Sequence, residues 1–469
     1  MSVDEASIPE TTAIVIGGSI AGLLAAAALA PHFARVVVLD RDELPESKKY
    51  RSGVPHGYQF HGLSVGGRLA MEALLPGFTD AAVAEGAPLF DTSAETRFAT
   101  KCGFLPRQPS SMRTLTASRP LLEAITRRET KKIDTVELWA NTAVEGLAAT
   151  DGTVHGVHYR GADSAGLLEA ALVVDASGRA SQAPKWLEEV GYSAPVETVI
   201  NARWGYSTAY VRPEPAFSPD YGALYVLPTF TGSDPAATRG GATWKQEGGI
   251  WGITAQGCAG DLPPSDEQGI REWFVSIGAD EIVTLMDRGE LVSPVQAWRN
   301  TANRLRDFAA LTRRPESFIV LGDAVAAFNP IYGMGMATAA IGASILGEVL
   351  TEWQADSRGS YAQGFAELFQ KRLDTLIQSS WSSSTGADRQ IRGVKVNGVE
   401  AEDMGPTPES ELMDRVLALA VEDVDVAAKF MESRQSVRGP EWLADPALQA
   451  RIRADWDRLG TVRRNGWED

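Results

Sequence analysis

The stretch TTAIVIGGSIAGLLAAAALAPHFARVVVLDRD, residues 11–42, constrains this chain more than any other. Its fully apolar run AIVI suits a parallel strand buried on both faces. The turn GGSIAG follows, then an alanine-rich helix and a second apolar strand, VVVL. Gly17 permits the tight turn and Gly22 lets helix and strand pack closely. Ser19 stands at the middle position, where a pyrophosphate approaches the backbone, and its side chain is small enough to leave the amide accessible. Asp40 closes the second strand, where an acidic residue takes ribose hydroxyls, and Arg41 follows it as a further candidate contact. A helix N-terminus attracts phosphate. The unit reads as a dinucleotide site; the competing reading is an ordinary βαβ unit with a glycine turn.

Composition narrows the rest. The 469 residues, 44% of them hydrophobic, provide for two or three linked globular units. With 61 acidic and 44 basic side chains the net charge is −17, and no Lys/Arg block interrupts the chain, which argues against a nucleic-acid partner. Cys102 and Cys258 form neither a metal motif nor a disulfide framework, in keeping with a reducing cytoplasm. The longest apolar run, residues 20–30, is too short to span a bilayer and lacks the flanks of a secretory leader. A cytoplasmic protein with no transmembrane segment is expected.

Two more strand ends carry polar groups. ALVVDASGRASQ (171–182) runs into Asp175, Ser177 and Gly178, and FIVLGDAVAAFNPIYGMGMATAA (318–340) runs into Gly322-Asp323 before Pro330, Gly333 and Gly335. A helix is weakened by glycine in its first turn. A ligand needing an acceptor on one side and bare amides on the other accounts for both features.

The three motifs, in this order, resemble those of the single-component FAD-dependent monooxygenases. SRPLLEAITRR (118–128) resembles that family's arginine-led helix, and RSGVPHGYQFHGL (51–63) and TANR (301–304) are similar to segments of the branch that holds bacterial polyether epoxidases and squalene-epoxidase-like enzymes. The resemblance covers roughly residues 12–350. It implies an α/β fold in which a Rossmann-type FAD-binding domain with a parallel sheet is interleaved with a mostly antiparallel substrate domain, ahead of a C-terminal helical region. The FAD-binding parts are expected at 1–80, 116–192 and 296–350, the substrate parts at 81–115 and 193–295, and the helical region at 351–469. By the same resemblance Asp323 accepts a hydrogen bond from a ribityl hydroxyl and Arg119 contacts the diphosphate and ribityl region; Arg51 is expected to touch the flavin. The segment after Pro330 would set amides of Gly333, Met334, Gly335 and Met336 against the pyrimidine edge of the ring, where reduced flavin carries negative charge. Two departures stand out. Ser177-Gly178 occupies the place of an Asp-Gly pair, which leaves the use of NADPH or NADH open, and Met334 replaces a common glutamine.

The expected activity is transfer of one oxygen atom from O2, through a hydroperoxide formed on the reduced flavin, to a large apolar molecule. Alkene epoxidation in polyketide or terpenoid biosynthesis leads, with aromatic hydroxylation second. A halogenase, a dehydrogenase and a non-catalytic FAD-binding protein are the alternatives; the Trp-x-Trp-x-Ile-Pro halogenase signature is absent from IWGIT, residues 250–254. The electron donor is NADPH or NADH, or a separate flavin reductase. Alternating, aromatic-rich segments between 201 and 257 read as antiparallel strands that roof the flavin. Trp204, Tyr206, Tyr210, Tyr225, Phe230, Trp244 and Trp251 are the candidate pocket lining, although aromatic residues also build ordinary core. His61 is the candidate to position substrate or pass a proton. No base is required, because the cofactor supplies the chemistry. The tail, broken at 396–410, is expected to pack as helices or form a lid. Oligomeric state is left open.

Overall fold

The computed structural model describes residues 11–162, 164–230, 236–299, 301–356, 360–361, 363–402 and 406–461. At its centre lies a five-stranded parallel sheet of β1 (Thr12–Ile16), β2 (Arg35–Leu39), β3 (Val136–Trp139), β4 (Leu172–Asp175) and β5 (Phe318–Val320), in the spatial order β5-β4-β1-β2-β3. The inner strands are apolar along their length because helices cover both faces. Helix α1 (Ile20–Leu29) packs on β1, and α2 (Val65–Leu74), α3 (Arg119–Thr130) and α4 (Gly335–Ala355) join it around the same core. Ala25, Ala26, Ala27 and Ala28 of α1 are all buried, so small side chains set its close approach to the sheet and to α4.

A second sheet is mostly antiparallel. Six strands run in the order Gly289–Leu291, Gly205–Pro213, Ile250–Gly257, Arg239–Gln246, Ala223–Val226 and Thr96–Ala99, and Gln296–Trp298 also pairs with the 205–213 strand. Every pairing is antiparallel except that between Ala223–Val226 and Thr96–Ala99. Helices Glu267–Ser276 and Asp280–Asp287 cover one face, through Trp273, Phe274, Ile282 and Leu285. The opposite face holds Tyr210, Trp244 and Phe90, with Phe60 and Tyr225 against them.

Domain limits differ from expectation in two places. Helix α4 runs on to Ala355, because its apolar stripe continues through Val349, Leu350 and Trp353, so the third parallel-sheet segment does not stop at 350. The sheet that begins at 205 reaches Trp298 rather than 295. The tail contains α5 (Phe365–Asp388), α6 (Pro408–Glu422) and α7 (Val424–Arg434), and also a hairpin, Lys395–Val396 with Val399–Glu400, which pairs with Glu197–Asn201. Helices α6 and α7 bury Val416, Leu419, Phe430 and Met431 against Phe98, Leu105 and Met112. Part of the expected break at 396–410, residues 403–405, lies outside the described residues. Among the described residues no helix is long and apolar enough to cross a membrane.

Candidate active site

Parallel sheets bind ligands at the carboxyl ends of their strands, and here three adjacent strands end on motif residues. β1 ends at Gly17, β4 at Asp175-Ala176-Ser177, and β5 at Gly322-Asp323. Gly17 has φ +105°, and its amide donates to the Leu39 carbonyl at 2.7 Å. A Cβ on Gly17 would lie 2.7 Å from the Ala176 carbonyl oxygen, and one on Gly22 would lie 1.7 Å from the Gly17 carbonyl oxygen. Both glycines are therefore steric requirements of the turn. Helix α1 begins at Ser19 with no side-chain cap and no acidic residue in its first turn, which leaves its first amides and its positive dipole end for an anion.

The groups expected around a diphosphate are paired with one another. The Ser19 hydroxyl donates to Glu123 Oε1 at 2.8 Å and accepts from Arg119 at 2.9 Å. Arg119 also donates to Glu123 Oε1 at 3.0 Å, and Arg51 donates to Glu123 Oε2 at 2.8 Å. Arg51 further approaches Asp40 and Asp42 at 3.4 and 3.3 Å. Asp40 accepts from the Gly18 amide at 2.6 Å and the Asp42 amide at 2.8 Å. Arg41 is exposed just beyond it. Glu123 is 5% exposed; burial alone would raise its carboxyl, but Arg119 and Arg51 outweigh it and pull the pKa down to about 2. The sequence reading missed Glu123. The signal was there: Arg119, Glu123 and Arg127 recur every four residues along α3, on one helix face.

At the end of β5 the pattern reverses. Asp323 is half-buried, and no hydrogen bond to its carboxylate exists among the described residues. Burial raises its pKa, while the charges of Arg179, Arg119 and Arg304 pull the other way. A Cβ on Gly335 would stand 3.7 Å from Asp323 Oδ1, so the free acceptor borders the start of α4. Gly333 is left-handed at φ +66°, and α4 starts at Gly335 after Met334 with no side-chain cap and no acidic first turn. Met336 is buried in the core, whereas Gly333, Met334 and Gly335 keep accessible surface. Pro330 opens the preceding turn, and the Asn329 side chain accepts from the Ile331 amide.

That turn is held by a residue the sequence reading did not single out. Asp388, at the end of α5, is 1% exposed and accepts from Trp204 Nε1 at 2.7 Å, Asn303 Nδ2 at 2.7 Å, Asn329 Nδ2 at 3.2 Å and the Tyr332 hydroxyl at 2.7 Å. Its donors are neutral, and burial raises its pKa to about 6. Trp204 thus serves as an anchor, and Phe230, 45% exposed, lies edge-on to its ring at 6.5 Å.

The remaining aromatic candidates divide by strand alternation. Tyr206 and Tyr210 share a face of the 205–213 strand, and Trp244 lies over Gly252, whose Cβ would be 2.1 Å from the indole. Phe60, from the histidine-bearing loop, approaches Trp244 at 3.8 Å and Tyr225 at 6.1 Å. A cavity of about 180 Å³ opens beside them, lined by Tyr50, Tyr58, Thr208, Tyr210 and Gln296 among others. Trp251 pairs with Val211 and sits on the opposite face under the covering helices, so the expectation that it lines the pocket is corrected: one residue of register turns a strand side chain to the other side.

His61 lies 5.3 Å from His56, ring to ring, and both feel the charge of Arg119. Its Nδ1 is 2.8 Å from the Gln59 carbonyl, an acceptor only, so Nδ1 carries the proton and Nε2 is left as an acceptor. Burial and Arg119 hold both rings neutral, His56 at about 4 and His61 well below the usual histidine range. His61 in this state orients a hydrogen-bond donor and stores no proton near pH 7.

A glycine turn that tolerates no Cβ, an uncapped α1, an unpartnered Asp323 and an uncapped α4 fit a group with a diphosphate at one end and an electron-rich ring at the other; FAD has that composition. No protein-family model matches the chain. Protein Rv3254 of Mycobacterium tuberculosis (strain ATCC 25618 / H37Rv) is 28% identical over 368 residues, 76% of each chain. The flavin-dependent brominase Bmp2 superposes with a TM-score of 0.66 at 12% identity, covering 96% of this chain and 99% of that one. PqsL, a probable FAD-dependent monooxygenase from Pseudomonas aeruginosa, superposes with a TM-score of 0.60 at 16% identity, covering 81% and 96%. The fold is that of FAD-binding monooxygenases. The fold-class expectation holds, and the polyether-epoxidase branch is not among these similarities.

Proposed function

We propose that this chain is an FAD-dependent monooxygenase that inserts one atom of O2 into a small molecule with a large apolar part. The observation that carries the reading is Asp323, an unpartnered acceptor beside the bare amides of an uncapped helix, at the carboxyl end of a parallel strand. When bound, FAD supplies reduction of O2 and transfer of one oxygen atom to carbon.

The chain's own part is binding and placement. Gly17, Gly22 and the start of α1 would hold the diphosphate, with Ser19, Arg51 and Arg119 at hand from the Glu123 cluster. Asp323 would accept from a ribityl hydroxyl. The amides from Gly333 to Met336, with the positive end of α4, would stabilise negative charge on the ring. Phe60, Tyr210, Tyr225 and Trp244 exclude water from the facing sheet. His61 would hold a substrate or cofactor donor through Nε2.

Epoxidation of an alkene in polyketide or terpenoid biosynthesis is the leading reaction, and aromatic hydroxylation the second. NADPH or NADH, or a separate flavin reductase, supplies electrons, in the cytoplasm. The test loads the protein with FAD, reduces it and offers panels of alkenes and phenols under oxygen-18 gas. One heavy oxygen atom in the product supports the reading, and an epoxide or a phenol tells the two reactions apart. Oxidised product without heavy oxygen means a dehydrogenase, halogenated product with added bromide means a halogenase, and no turnover means a binding protein.

A further inference from the structure

Asp388 is the last residue of α5 and 1% exposed, yet no lysine or arginine is paired with it among the described residues. A carboxylate out of water without a cation is costly to keep. Four neutral donors face it. Oδ1 accepts from Trp204 Nε1 and from the Tyr332 hydroxyl, both at 2.7 Å. Oδ2 accepts from Asn303 Nδ2 at 2.7 Å and from Asn329 Nδ2 at 3.2 Å. A carboxylate accepts on both oxygens, whereas an amide of the same shape accepts on one and turns its own hydrogens toward the other pair of donors. Asparagine at this position therefore loses two of the four bonds, whichever way its amide faces.

The two asparagines, both 0% exposed, continue the network. Asn303 Oδ1 accepts from the Asn329 amide at 2.7 Å and from the hydroxyl of Ser384, one turn before Asp388 on α5, at 2.6 Å. Asn329 Oδ1 accepts from the Ile331 amide at 3.2 Å. The turn from Asn329 to Tyr332 is thus tied to one carboxylate at both ends, through the Asn329 amide group and the Tyr332 hydroxyl. Gly333 follows in the left-handed region at φ +66°, and α4 begins at Gly335. The direction of the amides from Gly333 to Met336 is set by this turn. Trp204 stands directly before the 205–213 strand, so the same carboxylate also fixes the second sheet against the turn. Buried polar networks with every member satisfied hold one geometry.

We propose that Asp388 is a positioning residue for the flavin ring: by accepting from Asn329, Tyr332 and Trp204 together, it holds the amides from Gly333 to Met336 aimed at the ring's pyrimidine edge. It touches neither cofactor nor substrate and acts through the turn. This deepens the monooxygenase reading and rests on it for the location of the ring. Amides aimed at the ring favour its reduced, negatively charged form over the oxidised one. A loosened turn lowers that preference, and with it the midpoint potential of the bound flavin. Removal of a nearby negative charge would by itself raise the potential, so the sign of the change separates position from charge.

Two readouts test the role at about pH 8, where Asp388 is ionised. The first is the midpoint potential of bound FAD, read against reference dyes. Asp388→Asn should weaken the preference for reduced FAD by about tenfold, a fall of about 30 mV for a two-electron couple. Tyr332→Phe, which changes no charge, should lower the potential by a smaller amount. The second is hydrogen–deuterium exchange of the 329–336 segment in the FAD-free protein, expected to be about tenfold faster in Asp388→Asn. Trp251→Phe, a core change under the covering helices, should move neither readout. An unchanged or raised potential, unchanged exchange, or equal changes in Trp251→Phe overturns the proposal; should Asp388→Asn not fold, Tyr332→Phe decides. If the wild-type protein takes up no FAD, the monooxygenase reading falls, and exchange in the FAD-free protein still decides whether Asp388 holds the turn.

Discussion

Glu123 and Asp388 are both acidic and both almost wholly buried, yet their carboxyls are pushed in opposite directions. Glu123 is ringed by Arg51, Arg119 and Arg127 and sits at about 2; Asp388 receives four neutral donors and sits at about 6. Burial opposes ionisation in both. Positive partners overcome that cost, and neutral hydrogen bonds do not. The same contrast runs through the whole site. The turn after β1 is a closed cluster of paired charges, whereas the tip of β5 presents an Asp323 carboxylate with no hydrogen-bond partner among the described residues. A ligand at the first place would have to share existing ion pairs; one at the second would complete an acceptor that now has no partner.

The largest expected effect breaks the first end outright. Gly22→Val places side-chain atoms on the Gly17 carbonyl, so the turn cannot close; loss of about 3 kcal/mol or more in urea unfolding and loss of FAD uptake are expected. A variant with wild-type stability and FAD content would show that the turn adapts.

The two carboxylates then give opposite pH slopes. Glu123 has its pKa depressed from 4.5, so its contribution is present above that value and is lost as pH falls toward about 2. Asp388 has its pKa raised from 3.8, so the folded chain holds the extra proton, and stability falls as pH rises from 3.8 through about 6. Each slope amounts to something on the order of 2 kcal/mol. Measured by denaturant titration of the FAD-free protein, Glu123→Gln should remove the acid-side loss and Asp388→Asn the fall toward pH 6. Slopes unchanged in both variants would contradict the assignment of charge partners.

The smallest effect concerns the second sheet. Trp251→Phe, on the face covered by helices, should lower the melting temperature by a few degrees, as a modest core substitution does, and leave ligand binding untouched. Trp244→Phe, on the face toward Phe60, should alter the affinity for apolar ligands. Equal ligand effects from both would mean that the sheet faces are reversed.

What was legible in the sequence was local. Gly17, Ser19, Gly22 and Asp40 lie within one βαβ unit, where spacing alone dictates which atoms meet, and the Gly322-Asp323 tip ends an apolar strand for a reason that can be read without a fold. Arg51 and Arg119 were expected at the cofactor; the spacing of Arg119 and Glu123 on α3 was legible, but the pairing of Arg51 with Glu123 emerges only when the loop after β2 folds onto α3. Asp388 carries no local signal. Its role comes from distant packing, of α5 on Asn303 and Asn329, and it looks like an ordinary polar residue on a helix. Trp251 failed for the opposite reason: aromatic content marked the strand, but only register tells which face a side chain takes.

The most direct test of the central claim is the affinity of the purified protein for FAD, wild type against Asp323→Ala, followed by the visible absorption of the bound flavin. Wild type should saturate at one FAD per chain. Removing the free acceptor should weaken binding by about tenfold or more, while the FAD-free variant is as stable as wild type or more so, because an unpartnered carboxylate has gone. Equal affinity in the two proteins, or no saturable binding in either, would contradict it.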